Sequence, residues 1–370
     1  MKNILGLIAQ NQAWQKVVIL GALGFAVYLI LPEIIAVEDS WQVLISMDLW
    51  AVGLAFIAQA LSILGNGFLL QSILTIANQK LSLWLNTLIV FGSTSIGLVA
   101  GGVVGKSAAI YRWTSGGRNT LHPGGTLTPG GTLTPSVSVE GATLASISLP
   151  LLNNIVLVLV SIFGLVHLIL VHDLTQAQTI GFAAALLILG LIIGGIALAV
   201  HFQDQATEAI LWLSSRVARL RRKSFDPNAA RQGASDLFGA WNTLWQGAWH
   251  RLAIGAFLNT AFDILTLYFL FVAAGKDVSP GVLLSGYGLP LLLGKLAFVI
   301  PGGAGVVESS MVLLYNELGV AQGTTVAVVL SYRLISFWIP SLAGFPIAAH
   351  LQRSQKRNHP MDLYELDPPA

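Results

Sequence analysis

Residues 178–201, QTIGFAAALLILGLIIGGIALAVH, contain no acidic residue, lysine or arginine, and this stretch decides the fold of the chain. A helix of about 20 apolar residues crosses a hydrocarbon core of about 30 Å. The composition agrees, since 55% of the 370 residues are hydrophobic and 10% are charged, whereas about 25% of residues are charged in soluble domains. The sequence therefore predicts an all-α, polytopic helical membrane protein.

Further apolar segments precede and follow this stretch. They extend over 15–32, 49–74, 82–104, 144–172, 250–274, 281–317 and 324–349. Each is long enough to cross or to enter a bilayer. We expect residues 1–352 to form a single transmembrane domain and residues 353–370 to form a cytoplasmic tail, in a multi-pass protein integral to the plasma (inner) membrane.

The distribution of lysine and arginine predicts the orientation, because short cytoplasmic loops carry an excess of both. The loop 202–249 has the largest cluster, at Arg216, Arg219, Arg221, Arg222, Lys223 and Arg231. The loop 105–142 has Lys106, Arg112 and Arg118, and basic residues also lie near both ends of the chain. Both loops and both termini are therefore predicted to be cytoplasmic.

The same rule makes segment 82–104 unusual. If residues 75–81 and 105–142 are both cytoplasmic, this segment enters the membrane and returns on the same side. Its glycines permit such a re-entrant path, which is tolerated where protein or trapped water satisfies the broken backbone. PGGAG at 301–305 breaks segment 281–317 in the same way. We predict about six full spans plus two Gly-broken re-entrant hairpins; the alternative is eight spans, one of which violates the charge rule.

The loop 202–249 has features of a membrane surface. Residues 205–223, QATEAILWLSSRVARLRRK, place apolar side chains on one helical face with arginines beside them, a pattern typical of a helix that lies on an anionic leaflet. Trp241, Trp245 and Trp249 recur every four residues, as interfacial aromatic residues do. We predict an interfacial amphipathic helix, which either anchors the protein or gathers lipid.

The stretch AGGVVGKSA at 100–108 ends like a phosphate-binding loop. Such a loop needs a strand before it and a helix after it, whereas this one ends a Gly-broken membrane segment. We therefore interpret the P-loop-like string at 100–107 as a false positive. The chain has no cysteine and no spacing typical of a nucleophile with its base, paired acids or metal ligands. We expect no catalytic residue, metal or cofactor, and no enzyme activity.

A second stretch has a related pattern. PGGAGVVESS at 301–310 and AGGVVGKSAA at 100–109 each have a Gly-Gly pair, then two valines, then a charged residue followed by a serine. Followed by SYRLISFWIPSLAG at 331–344, the string PGGAGVVE resembles the signature of the lysylphosphatidylglycerol synthase transmembrane family. VVGKSAAIYRWTSGG at 103–117 extends the resemblance. The family includes the lipid-flipping membrane part of bacterial multiple peptide resistance factors, so the resemblance implies lipid translocation.

Two departures limit what this resemblance implies. Relatives often carry acidic residues near the start of the fourth segment, where LPLLNN at 149–154 has only Asn153 and Asn154 as polar residues. Bifunctional relatives also have a soluble domain that transfers an aminoacyl group, whereas a short tail follows residue 349 here. We therefore do not expect lysine transfer to lipid.

Ionisable side chains inside the membrane indicate functional sites, because each costs about 2.5–3.5 kcal/mol on insertion scales. The apolar segments contain Asp263, Lys295, Glu308 and Arg333. Lys295 and Glu308 flank the PGG break, and Arg333 follows on the next segment beside Tyr332. These residues are predicted to form a polar chamber, in which an Arg fork and a Lys ammonium bind a phosphate headgroup.

Other groups complete the predicted substrate site. The backbone amides of Gly302, Gly303 and Gly305 add partial positive charge if they open a half-helix. Lys106 and Arg112 are predicted to receive the headgroup on the cytoplasmic side.

Two acids have alternative roles at this stage. Glu308 either carries a coupling proton, balances the positive charge of the chamber, or pairs with Arg333 and holds the hairpin shut. Asp263 either couples transport to protons or, with Asn259 one turn earlier, bridges two helices. Asn66 is expected to make a helix–helix hydrogen bond.

The resulting hypothesis is a flippase-like translocator that moves an anionic or phosphate-bearing lipid across the bilayer. Its expected partners are anionic membrane lipids, with no nucleic acid; a homo-oligomer or a lipid-synthesis enzyme as partner is also considered. The alternative is an integral-membrane enzyme or accessory partner that acts on a lipid or polyprenyl-phosphate headgroup.

Overall fold

The computed structural model describes residues 37–99, 103–114, 139–171, 174–220, 226–246, 249–296 and 301–357. Every regular element in these ranges is a helix, which confirms the all-α prediction. Five helical stretches are long and apolar enough to cross a membrane: Leu49–Ile76, Gly141–Val171, Gln176–His201, Trp249–Ala273 and Gln322–Arg353. The predicted segment 15–32 and residues 358–370 of the predicted tail lie outside the described residues.

In chain order the described helices are α1 (Val37–Ser46), α2 (Leu49–Ile76), α3 (Leu83–Val99), α4 (Val103–Thr114), α5 (Val139–Val171), α6 (Gln176–His201), α7 (Gln203–Leu220), α8 (Pro227–Gln246), α9 (Trp249–Ala273), α10 (Pro280–Leu296), α11 (Val306–Glu317), α12 (Gln322–Arg333) and α13 (Ile339–Arg357). A 3₁₀ turn at Pro301–Gly303 precedes α11, and a π-helical turn at Leu334–Trp338 joins α12 to α13.

Helices α2 and α9 form the central antiparallel pair. The Asp48 amide donates to the Ala273 carbonyl at 2.9 Å, so α2 begins where α9 ends. Further along, a Cβ on Gly65 would lie 2.8 Å from the backbone nitrogen of Asn259, and one on Gly255 would lie 2.8 Å from the Cα of Leu69. Small residues thus allow the two backbones to touch, as in other membrane helix pairs.

Two helical hairpins, α3–α4 and α10–α11, lie on this pair, and the two arms of each hairpin contact each other. In the second hairpin Gly302, Gly303 and Gly305 have φ angles of 64°, 65° and 85°. L-residues with a Cβ rarely adopt this region, so the glycines permit the sharp return. The predicted break at 301–305 is therefore confirmed.

The second arm of the first hairpin lies within the predicted cytoplasmic loop 105–142. Residues 105–114 belong to helix α4, and α5 begins at residue 139. Helix α4 carries Lys106. Its side chain is partly buried and lines an internal cavity, where polar neighbours accommodate the charge. Residues 100–102 lie outside the described residues.

The helix that follows each hairpin packs on the first arm of the other hairpin. Helix α5 runs antiparallel to α10, since Gly288 lies against Ser161 and Gly281 lies against Leu168. Helix α13 runs antiparallel to α3, where the Ser95 hydroxyl donates to the Ser341 carbonyl at 2.6 Å.

The two halves of the chain therefore form an inverted repeat. Helices α2–α5 and α9–α13 have the same order of a long helix, a hairpin and a closing helix, and their long helices run in opposite directions. Of the related strings, residues 103–109 form the start of α4, and 301–310 contain the turn before α11 and the start of that helix.

The hydrophobic core is divided into two clusters, one around each hairpin. One cluster contains Ala55, Leu157 and Leu267, and the other contains Leu69, Leu149 and Ala256, together with the arms of the first hairpin. Along α2, α5 and α9, the residues between these positions include Asn66, Asn153 and Asn259. A polar layer thus separates the two apolar cores.

Candidate functional site

The polar layer is cross-linked by side-chain amides of α2, α5 and α9. The Asn153 amide donates to Asn66 Oδ1 at 3.1 Å, and the Asn259 amide donates to Asn153 Oδ1 at 3.5 Å. The Ser62 hydroxyl donates to the Asn259 carbonyl oxygen at 2.8 Å. The expected helix–helix role of Asn66 is confirmed, and Asn153 is the partner that the sequence did not identify.

Asp263 lies one helical turn beyond Asn259 and connects three helices. Its Oδ2 accepts hydrogen bonds from the hydroxyls of Tyr287 on α10, at 2.9 Å, and Tyr332 on α12, at 3.0 Å. Its Oδ1 is buried and has no partner in the part of the chain that the structure describes. Such an oxygen retains its desolvation cost, so this carboxyl group has a free, polar position to offer a proton, water or ligand.

A cavity of about 140 Å³ adjoins this carboxyl group. Its polar lining residues are Gln59, Ser62, Asn66, Thr94, Lys106, Asn259, Asp263 and Ser336. Lys106 comes from the first hairpin and Ser336 from the π-helical turn, a kind of irregularity that is frequent at functional sites. The cavity therefore brings both halves of the inverted repeat to one polar space, with room for several water molecules.

Glu308 and Arg333 form an ion pair at the turn of the second hairpin. Arg333 Nε donates to Glu308 Oε1 at 2.6 Å. Arg333 is only 4% exposed and Glu308 only 2%. Glu308 Oε2 accepts the Gly305 amide at 2.7 Å, while Arg333 also donates to the Gly302 carbonyl at 3.0 Å. The Arg333 guanidinium stacks on the Phe337 ring, 4.4 Å from its centroid.

This arrangement binds the hairpin turn to the junction of α12 and α13. Both carboxylate oxygens of Glu308 are engaged, and the acid caps the first turn of α11, where a negative charge is favourable. Of the alternative roles considered for Glu308, the structure shows the one in which it pairs with Arg333.

Lys295 lies apart from this pair. Its ammonium group donates to the Asn154 side-chain oxygen of α5, and its side chain is otherwise accessible. Lys106, on the other hairpin, lines the cavity beside Asp263. The two lysines, one from each hairpin, therefore provide positive charge beside the polar layer that no carboxylate balances by direct contact among the described residues.

The structure thus divides the predicted site residues into groups. Glu308, Arg333, Gly302 and Gly305 meet at the hairpin turn, where Gly303 packs with its Cα region against Gly294. Tyr332 donates to Asp263, which lines the cavity together with Lys106, and Lys295 adjoins Asn154. Arg112 is exposed in the last turn of α4.

Sequence reasoning missed Tyr287 and Asn154. Tyr287 lies in SGYGLP, between two glycines in an apolar helix, and a buried tyrosine hydroxyl usually needs a partner. The requirement of a buried tyrosine for a hydrogen-bond partner could have identified Tyr287 from the sequence. Asn154 was noted only as a departure from the acidic residues of relatives, although an amide oxygen can also accept from a lysine.

The family model for the lysylphosphatidylglycerol synthase TM region matches residues 16–344. The chain belongs to this family. As a member of the lysylphosphatidylglycerol synthase transmembrane family, it is an integral multi-pass membrane protein related to lipid handling. The resemblance inferred from residues 301–308 and 331–344 is confirmed.

Curated relatives of this family member are archaeal. A UPF0104 membrane protein of Methanothermobacter thermautotrophicus is 27% identical over 212 residues, which cover 56% of this chain and 62% of that protein. A UPF0104 membrane protein of Pyrococcus horikoshii is 35% identical over 96 residues, covering 24% of this chain and 26% of the relative. The matched stretches thus cover less than two thirds of either relative.

Proposed function

We propose that this family member translocates an anionic or phosphate-bearing lipid across the plasma membrane, with the headgroup passing through the polar layer while the chains stay in the bilayer. One observation carries the proposal: an inverted repeat brings two helical hairpins, the second of them broken at Gly302, Gly303 and Gly305, to a polar layer between two apolar cores. Secondary transporters with inverted repeats place their substrate sites at the repeat interface, beside broken helices.

Lys106 and Lys295 are the groups best suited to recognise the headgroup. The charge of Arg333 is already balanced by Glu308, whereas neither lysine forms an ion pair among the described residues. A phosphate that reaches both lysines accepts charge-assisted hydrogen bonds from them. The amide layer of Asn66, Asn153 and Asn259 offers neutral donors along the same path.

Movement of the headgroup requires the two hairpins to open in turn toward the two sides. The reciprocal packing of α5 on α10 and α13 on α3 provides equivalent contacts that exchange in such a cycle. The protein then works as a passive or proton-coupled translocator, because a downhill lipid gradient or a proton gradient supplies the free energy.

Lipid movement in proteoliposomes tests the assignment of the lysines. Headgroup-labelled phosphatidylglycerol is followed by quencher access, with a zwitterionic lipid for comparison, in the wild type, Lys106→Gln and Lys295→Gln. A charge-assisted hydrogen bond contributes about 1.5–3 kcal/mol, so each variant is expected to lower the rate by about tenfold or more. Lys276→Gln, an exposed lysine in the turn after α9, is the matched control and retains the wild-type rate.

Three results would count against the proposal. Unchanged rates in both lysine variants would show that these lysines do not recognise the headgroup. If folded wild-type protein moved neither lipid, the proposal that it translocates phosphatidylglycerol would be wrong. A headgroup recovered in altered chemical form would favour the membrane-enzyme alternative.

Asp263 is the proposed coupling acid, since both oxygens of Glu308 are bound while Asp263 Oδ1 has a free position among the described residues. If transport is proton-coupled, an imposed pH gradient accelerates it in the wild type. Asp263→Asn retains the shape of the side chain but cannot exchange the proton, so we expect it to abolish that acceleration. An equal response of Asp263→Asn and wild type to the gradient would exclude Asp263 as the coupling group.

A further inference from the structure

A groove of about 760 Å³ lies between α5 and α6, outside the polar layer. Its apolar lining consists of Leu151, Ile155, Val158 and Leu159 of α5 and Ile193, Ile196, Ala197 and Val200 of α6. The groove is open on one side, so in a bilayer its apolar walls face lipid.

The polarity of the groove changes along its length. His201, Gln203, Trp241 and Asn242 line one end, where α6 meets α7 and α8. Asn154, the side chain that contacts Lys295, lies in the α5 wall between Leu151 and Ile155. The groove therefore has a polar, interfacial end and an otherwise apolar wall in which Asn154 provides one further polar contact.

The length of the groove approaches one leaflet. From Ile193 to His201 the lining part of α6 rises about 12 Å at 1.5 Å per residue, compared with about 15 Å for half of a hydrocarbon core of about 30 Å. Because the loop 202–249 carries the basic cluster, this leaflet is the predicted cytoplasmic one.

The ends of the groove distinguish a lipid from a partner helix. Helix α7 follows α6 directly and α8 packs on α5, so protein closes the interfacial end. A spanning helix from another protein cannot continue past this floor. A phospholipid fits, because its chains fill the apolar middle while its headgroup contacts Gln203 and Asn242, and Trp241 takes the position typical of interfacial aromatic residues.

We infer that the groove between α5 and α6 binds one phospholipid of the cytoplasmic leaflet and presents it to the Asn154–Lys295 contact. This loading role rests on the proposed translocation. It explains why Asn154 belongs to two sites at once: the side chain lies where the groove meets the second hairpin.

Photocrosslinking of the full chain in liposomes tests the inference. The probe is phosphatidylglycerol with a diazirine in one acyl chain, and crosslinked peptides are identified by mass spectrometry. We expect crosslinks to concentrate in 151–159 and 193–200. Ala197→Phe places a ring in the groove, and overfilling an apolar site is strongly unfavourable, so the yield is expected to fall about tenfold.

Ala183→Phe is the matched control, because Ala183 is an exposed alanine of the same helix that does not line the groove. It is expected to crosslink like the wild type. Crosslinks distributed evenly over the exposed residues of α6, or an unchanged yield in Ala197→Phe, would overturn the binding site.

The lipid-movement assay on the same variants separates this inference from the proposed function. Groove crosslinks that Ala197→Phe removes, in a wild-type protein that moves no lipid, would support the binding site and contradict translocation. Full-rate movement by Ala197→Phe would leave translocation in place and refute the loading role. Slower movement by Ala197→Phe than by Ala183→Phe supports both.

Discussion

At the scale of single residues, the Glu308–Arg333 pair binds the turn of the second hairpin to the junction of α12 and α13. Removing one partner leaves the other charge buried without compensation, which typically costs about 3–5 kcal/mol. Arg333→Met is therefore expected to lower the thermal stability of the detergent-purified protein markedly. The ten tryptophans allow the midpoint to be followed by intrinsic fluorescence.

The double variant Glu308→Gln/Arg333→Met provides the control for charge burial. The amide oxygen introduced by Glu308→Gln still accepts the Gly305 amide, and no lone charge remains, so part of the lost stability is expected to return. If Arg333→Met alone melts at the wild-type temperature, or if the double variant is no more stable than the single one, the pair does not hold the turn.

The sequence was sufficient to identify these charges but not all their contacts. Hydropathy alone marked Asp263, Lys295, Glu308 and Arg333, because ionisable residues stand out in apolar segments. Partner choice depends on how helices distant in sequence pack. Lys295 and Glu308 flank the same break, yet Lys295 contacts Asn154, which is 141 positions away along the chain.

At the scale of elements, the two hairpins show where sequence patterns succeed and where they fail. Glycines with positive φ at 302, 303 and 305 follow directly from the string PGGAG, so the second hairpin was predictable. The second arm of the first hairpin was not. Charge counting treats Lys106 as a loop residue, although the cavity shared with Asp263 offers it a polar environment inside the protein.

Helix α7 could be predicted from its local sequence pattern, whereas its contacts with α8 could not. The amphipathic sequence 205–223 predicted a helix, and α7 (Gln203–Leu220) confirms it. Arg216 stacks on Trp212, 5.1 Å from its ring centroid, and Arg231 of α8 pairs with Glu208 at 2.8 Å. These exposed contacts contribute little stability; the α7–α8 unit instead closes one end of the groove.

At the scale of the whole molecule, the inverted repeat connects the observations. The similarity between 100–109 and 301–310 was visible in the sequence, but its meaning depends on the antiparallel packing of α2 on α9. Each half contributes one hairpin and one lysine to the polar layer. A twofold arrangement of this kind makes the two hairpins equivalent, so it is suited to a site that opens alternately toward either side.

This arrangement also fixes which turns must face opposite sides. The turn after α2 and the turn after α9 lie at opposite ends of an antiparallel pair, and Lys80 and the basic loop predict that the former is cytoplasmic. The chain has no cysteine, so single cysteines at Gln79 and Lys276 report without background. We expect a membrane-impermeant maleimide to label Lys276→Cys in intact cells and Gln79→Cys only after permeabilisation. The reverse pattern would invert the molecule and move the lipid groove to the outer leaflet, whereas labelling of both from outside would be incompatible with an antiparallel α2–α9 pair that spans the membrane.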